Sequence, residues 1–137
     1  MDTLTPSQRS ERMGRVRSTD TQPEMVVRRL IHRMGYRYRL HRKDLPGKPD
    51  LVFPVRHKVI FVHGCFWHRH DDPHCPLARL PKSRLDFWVP KLDGNRRRDI
   101  LALERLQAMG WDVITIWECQ IRDTEALKNR ISRFLDS

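Results

Sequence analysis

A chain of 137 residues is long enough for one compact domain and too short for two ordinary ones. Its formal net charge of +10 implies a partner of dense negative charge, nucleic acid or an anionic membrane surface. No apolar run approaches the roughly 20 residues of a bilayer span, and the first residues lack the apolar core of a signal peptide, so a soluble, cytoplasmic protein is expected.

Residues 1–20 are polar and basic. Arg9, Arg12, Arg15 and Arg17 surround Met13 and Val16, leaving little apolar surface to hold this segment on a core, so it is expected to be a flexible arm. The remainder, 21–137, reads as a single domain. Thr21-Gln22-Pro23-Glu24 is a capping box, and Val27, Leu30, Ile31 and Met34 follow helical spacing until Gly35 supplies a stop. Tyr36 to Leu40 alternates like a half-buried strand. A turn-rich stretch, Pro46-Gly47-Lys48-Pro49, leads to Asp50 and to a short buried strand, Leu51 to Phe53; Lys58 to Val62 reads as another.

His63 to Lys82 has no clear periodicity and carries Pro73, Pro76 and Pro81, so it is a long loop that something besides packing must hold. A helical segment opens at Ser83 and is interrupted near Pro90 and Gly94. Ile100, Leu103, Leu106 and Met109 mark a further helix closing at Gly110. Asp112 to Trp117 is then a strand, and a last helix has Asp123 as N-cap and Leu127, Ile131, Phe134 and Leu135 as its apolar stripe. This order specifies an α/β fold, a mixed central sheet flanked by helices.

The run His63-Gly64-Cys65-Phe66-Trp67-His68-Arg69-His70 crowds metal ligands, proton carriers and large aromatics into one stretch. The three cysteines, Cys65, Cys75 and Cys119, leave one unpaired in any intramolecular disulfide scheme, which suits a reducing compartment. Cys65, His70 and Cys75 offer thiolate and imidazole ligands to zinc within the loop, with Cys119 arriving from the strand end as a fourth. His74 rivals His70, and ordinary burial of small residues is the plain alternative. Four protein ligands leave no open coordination position, so such a zinc is structural.

Phosphodiester hydrolysis needs a hard cation, a group that activates water, and often a donor for the leaving oxygen. Asp50 can ligate Mg²⁺ with the backbone carbonyl of Val62 as a second oxygen. His68 is the candidate general base, and His63 a water activator or phosphate contact. Asp50 is also explicable as a turn residue, and Glu24 by its capping role. Phe66, Trp67 and Trp88 lie amid Arg69, Arg79, Lys82, Arg84 and Lys91, which suits wedges between base steps as well as core packing. Core packing is expected for Phe61, Phe87 and Phe134. Arg96-Arg97-Arg98 reads as phosphate contacts or a solvated helix start.

From about Arg9 to Cys119 the chain resembles the very-short-patch-repair (Vsr) endonucleases, bacterial enzymes that nick DNA at T:G mismatches left by deamination of 5-methylcytosine. The resemblance rests on Met13, Asp20-Thr21-Gln22-Pro23-Glu24, Leu45-Pro46-Gly47-Lys48-Pro49-Asp50, His63-Gly64-Cys65-Phe66-Trp67-His68, Phe87-Trp88, Asn95 with Asp99, and Trp117-Glu118-Cys119. It implies a restriction-endonuclease-like core with a structural zinc site. It further implies Asp50 as the magnesium carboxylate, His63 and His68 as catalytic histidines, and Glu24 as an accessory acid near the metal waters. Met13, Phe66, Trp67 and Trp88 would intercalate, and Asn95 would read the mispair. The general nuclease pattern of an acid and a lysine near Phe61 and His63 is missing, as in the Vsr branch. The expected activity is Mg²⁺-dependent, strand-specific nicking at T:G mismatches in double-stranded DNA by a monomer, with mismatch-repair proteins as further partners. A sequence-specific restriction-type endonuclease and a non-catalytic zinc-stapled DNA-binding module are the alternatives.

Overall fold

The computed structural model describes residues 20–137, so the basic arm and Met13 fall outside it. The described chain forms α1 (Gln22–Arg33), β1 (Arg39–Leu40), β2 (Leu51–Phe53), β3 (Lys58–His63), α2 (Leu85–Ala108), β4 (Asp112–Trp117) and α3 (Thr124–Leu135). The strands lie in the order β1-β2-β3-β4, the first two pairings antiparallel and β3 with β4 parallel. It is the mixed sheet that the element order predicts, with α2 as the crossover between the parallel pair.

Period-two alternation along β3 builds a core on each face of the sheet. Ile60 and Val62 join Leu51, Phe53 and Ile116 against Val27, Leu30 and Ile31 of α1 and Leu127, Ile131 and Leu135 of α3. Val59 and Phe61 join Val52, Leu45, Trp111 and Leu106 on the α2 side. Burial on both sides explains why β2 and β3 are continuous apolar runs. Ile31, Ile60, Ile116 and Ile131 are fully buried, each contributing about 1.5–3 kcal/mol by area removed from water.

Three local expectations are corrected. The strand over 36–40 shrinks to Arg39–Leu40, both exposed, because β2 has only three residues to pair with. Tyr36 and Tyr38 pack against the core instead, donating their hydroxyls to Asp136 and to the Arg28 carbonyl. The two helices expected around Pro90 and Gly94 are one continuous helix, Leu85–Ala108. Pro90 falls in its second turn, where only the bond to the Asp86 carbonyl is lost, and burial of Leu92, Ala102 and Leu106 holds the rest. The capping box is displaced: Thr21 Oγ1 accepts from the Glu24 N–H at 3.3 Å, but Glu24 Oε1 accepts from the Asp20 N–H at 3.2 Å.

Gly47 fixes how the turn before β2 meets α2. Its φ is +74°, and a Cβ there would lie 2.6 Å from Ala102 Cβ, so only glycine permits this close approach. That approach sets the position of Asp50 three residues later.

Candidate active site and metal centre

Asp50 immediately precedes β2, and the antiparallel register Leu51↔Ile60 places it beside the end of β3. Its Oδ2 accepts the Val62 N–H at 2.7 Å. Burial pushes the Asp50 carboxyl up to about 8, opposed by the Val62 hydrogen bond and reinforced by nearby Glu24 and Asp99. Perturbed acids of this kind collect at functional sites. A cleft of about 170 Å³ is lined by Asp50, Glu24, His41, Lys48, His63 and His68, among others. Two acids crowded together, one of them held off ionisation, fit a site completed by a cation, and the Asp50 carboxylate with the Val62 carbonyl would be its hard oxygen donors.

His63 is the last residue of β3 and only 7% exposed. Its ring stacks on His68 at 3.8 Å with 4° between planes. Burial, then the neighbouring His68, depress its pKa to about 3 against a weaker upward pull from Asp99. Its Nδ1 is buried without a hydrogen bond, and such groups are rare enough to call for a reason. His68 Nδ1 lies 2.6 Å from Asp99 Oδ2 of α2. That contact fixes the imidazole orientation and leaves Nε2 as the free nitrogen. Ligand atoms of His63, His68 and Asp99 lie within 4.8 Å of one another.

The long loop is organised around Cys65, His70, Cys75 and Cys119, whose ligand atoms are all within 4.8 Å of one another. A Zn–S bond of about 2.3 Å requires ligand separations of roughly 4 Å in a tetrahedron, so this donor set fits zinc. Cys119 follows β4 directly, in the short helical turn Glu118–Gln120, and its N–H donates to Cys65 Sγ at 3.4 Å. Burial pushes the Cys65 thiol up to about 12. Burial also works upward on Cys75, but hydrogen bonds from Cys65 and the backbone carry that thiol below its ordinary value. His74 is exposed and outside the cluster, its N–H donating to Asp72. Trp117 connects the two centres, stacking on His70 at 4.2 Å and meeting His63 edge-on at 5.3 Å.

Phe66, Trp67 and Trp88 are half-buried and meet edge to face, with centroids 5.0 to 5.9 Å apart. Phe87 is not the core residue expected. It is 40% exposed, adjoins Trp88 at 5.0 Å, and carries Arg84 and Lys91 over its ring, so it extends the aromatic cluster towards solvent. Phe61 is buried, and Phe134 packs at the edge of the core as expected. Asn95 Nδ2 donates to the Trp67 carbonyl at 3.0 Å, and Arg98 donates to its Oδ1. Asn95 thus braces the loop that carries the aromatics. Arg96 is paired with Asp71 at 3.0 Å and Arg69 with Asp93 at 2.9 Å.

Sequence reasoning gave no role to Asp99 or Trp117, although both lie in segments that carry the resemblance. Only folding brings Asp99, 31 residues away, to His68. Sequence reasoning missed His41 entirely; an isolated histidine after a short strand carries no spacing signal.

A family model described as DNA mismatch endonuclease Vsr matches residues 1–74. The chain is 53% identical over 135 residues to the type II nicking enzyme V.XorIIP of Xanthomonas oryzae pv. oryzae, covering 98% of this chain and 97% of that protein. It is 40% identical over 119 residues to the DNA mismatch endonuclease Vsr of Escherichia coli strain K12, covering 87% and 74%. It is 38% identical over 134 residues to the type II nicking enzyme V.NmeAIP of Neisseria meningitidis, covering 98% and 94%.

Proposed function

The chain belongs to the Vsr family of DNA mismatch endonucleases and is a DNA endonuclease, and from that premise we propose that it nicks one strand of duplex DNA at T:G mismatches in a Mg²⁺-dependent reaction. The observation that carries the chemistry is the convergence of Asp50, Glu24, His63 and His68 on one cleft. Asp50 and the Val62 carbonyl would hold the cation, with Glu24 taking hydrogen bonds from its waters. Bound there, Mg²⁺ supplies charge stabilisation at the phosphate oxygens. His68, oriented by Asp99, takes the proton from the attacking water at Nε2. The water oxygen bonds to phosphorus as the bond to the leaving deoxyribose oxygen breaks. His63 stays neutral, so its part is to orient water or phosphate by a neutral hydrogen bond rather than to deliver a proton as imidazolium. Lys43 and Lys48 line the same cleft and suit the flanking phosphates.

Structural zinc at Cys65, His70, Cys75 and Cys119 would staple the loop to the end of β4. Phe66, Trp67 and Trp88, presented by the loop and α2, would enter the base stack, most cheaply where pairing is already poor. Met13 would add to this wedge from the arm. Relatives named as nicking enzymes support single-strand cleavage over the double-strand cleavage of a restriction enzyme. A strand-resolved nicking assay on matched and T:G duplexes, with and without Mg²⁺, tests the reading. Cleavage of one strand only in the mismatched duplex with Mg²⁺ is expected, and equal cleavage of the matched duplex would refute mismatch specificity. No described helix is long and apolar enough to cross a membrane.

A further inference from the structure

We propose that His41 is a positioning residue for this reaction, tying Glu24 to Asp50 so that the two acids meet the cation and its waters as one rigid unit. The proposal rests on the reading above, in which these acids serve a cation. Glu24 is 1% exposed, and a carboxylate so buried must have its oxygens claimed. Oε1 takes the Asp20 N–H at 3.2 Å, and Oε2 faces Arg28 Nη1 at 3.3 Å and His41 Nε2 at 2.8 Å. Arg28 is drawn away by Asp20, which holds the same Nη1 at 2.6 Å. The short contact that sets the direction of Oε2 is therefore the imidazole.

The backbone of His41 is fixed just as closely. After the last register pair of β1, Leu40↔Leu51, its N–H donates to the Asp50 carbonyl at 3.2 Å. Its φ is +48°, in the left-handed region that residues with a Cβ adopt rarely and that tends to persist at functional sites. One residue thus bonds the main chain of one acid and the carboxylate of the other. β1 has only two residues, both exposed, and buries no apolar face of its own. What it contributes to the site is the delivery of His41 in register with Asp50.

The test is single-turnover nicking of a T:G duplex over a range of Mg²⁺ concentrations by the full chain and its H41L, H41Q, E24Q and E24Q/H41L variants, with melting temperature and Mg²⁺-free DNA binding measured alongside. Leu fills the space without a donor, whereas the Gln amide can reach Glu24. H41L should raise the Mg²⁺ concentration for half-maximal rate about tenfold or more, the scale for partners of metal-site groups, and H41Q should recover most of that loss. DNA binding without Mg²⁺ should be unchanged in both. E24Q should produce a comparable shift, and the double variant should be no worse than E24Q, because residues acting through one group are not additive. If E24Q shifts the Mg²⁺ dependence and H41L does not, the acid site stands and the role of His41 is refuted. If E24Q has no effect, the acid reading itself fails. A Gln variant as impaired as Leu, with melting temperature lowered in both, makes His41 a structural residue and overturns the proposal.

Discussion

Replacing Asp50 by Asn should stabilise the Mg²⁺-free protein at pH 8 while abolishing nicking. The carboxyl sits at about 8 in the fold against an ordinary 3.8. A folded value above the unfolded one means that the native state binds the proton more tightly. The stability it contributes is fully present below about 3.8 and is lost as pH rises towards 8. His63 runs the other way: held at about 3 against 6.5, it contributes stability that is fully present above about 6.5 and is lost as pH falls towards 3. Between pH 6.5 and 8 the histidine adds a small opposing slope that fades as pH rises, and Asp50 dominates of the two. The slope is about 1.36 kcal/mol per pH unit while the folded carboxyl stays protonated and falls to half of that at pH 8, so the two groups together should cost the parent about 1 kcal/mol across that window. Asn retains an oxygen for the Val62 N–H, 2.7 Å from the present acceptor, and turns a neutral amide towards Glu24, so D50N should be nearly flat. The assay is urea unfolding followed by tryptophan fluorescence at several pH values, with zinc retained and Mg²⁺ withheld. Adding Mg²⁺ at pH 8 should then stabilise the parent and leave D50N unmoved. Parallel pH curves for the two proteins, or a D50N less stable than the parent at pH 8, would refute the argument that an uncompensated charge is stored at this position.

Removing the imidazole in His68→Ala should cost on the order of 10²-fold or more in single-turnover rate; an unchanged rate and pH profile would return His68 to a structural role. Zinc should copurify at one ion per chain and survive a brief EDTA treatment that stops nicking, because a closed thiolate site and a hydrated magnesium site differ greatly in affinity. His70→Ala and Cys119→Ser should lower zinc content and stability while His74→Ala keeps both, and elemental analysis showing the reverse for the histidines would reassign the ligand. Trp67→Ala should weaken binding to T:G duplex more than to matched duplex, by about 1–3 kcal/mol per lost stack. The residual binding should remain steeply salt-dependent; equal losses on both duplexes together with a lower melting temperature would make Trp67 a core residue.

Much of the fold follows from local chemistry that a sequence displays. Thr21, Gly35, Gly110 and Asp123 mark helix ends through backbone preferences that act within a few residues, and apolar runs such as Leu51 to Phe53 must be buried on both sides. The clustering of His63, Cys65, His68 and His70 is likewise visible because these residues are near neighbours in the chain. The misjudged features depend on what lies across space. Pro90 and Gly94 look like breaks, yet burial of Leu92, Ala102 and Leu106 outweighs the one hydrogen bond that proline removes. Phe87 looks like core, yet its position on α2 leaves it outside. Asp99 and His41 have no local signature, because their partners His68 and Glu24 are 31 and 17 residues away. The types of group available for catalysis are set by composition and short spacing. Their orientation and proton affinity are set by burial and long-range contacts, and those exist only once the sheet register and the packing of α1 and α2 have formed.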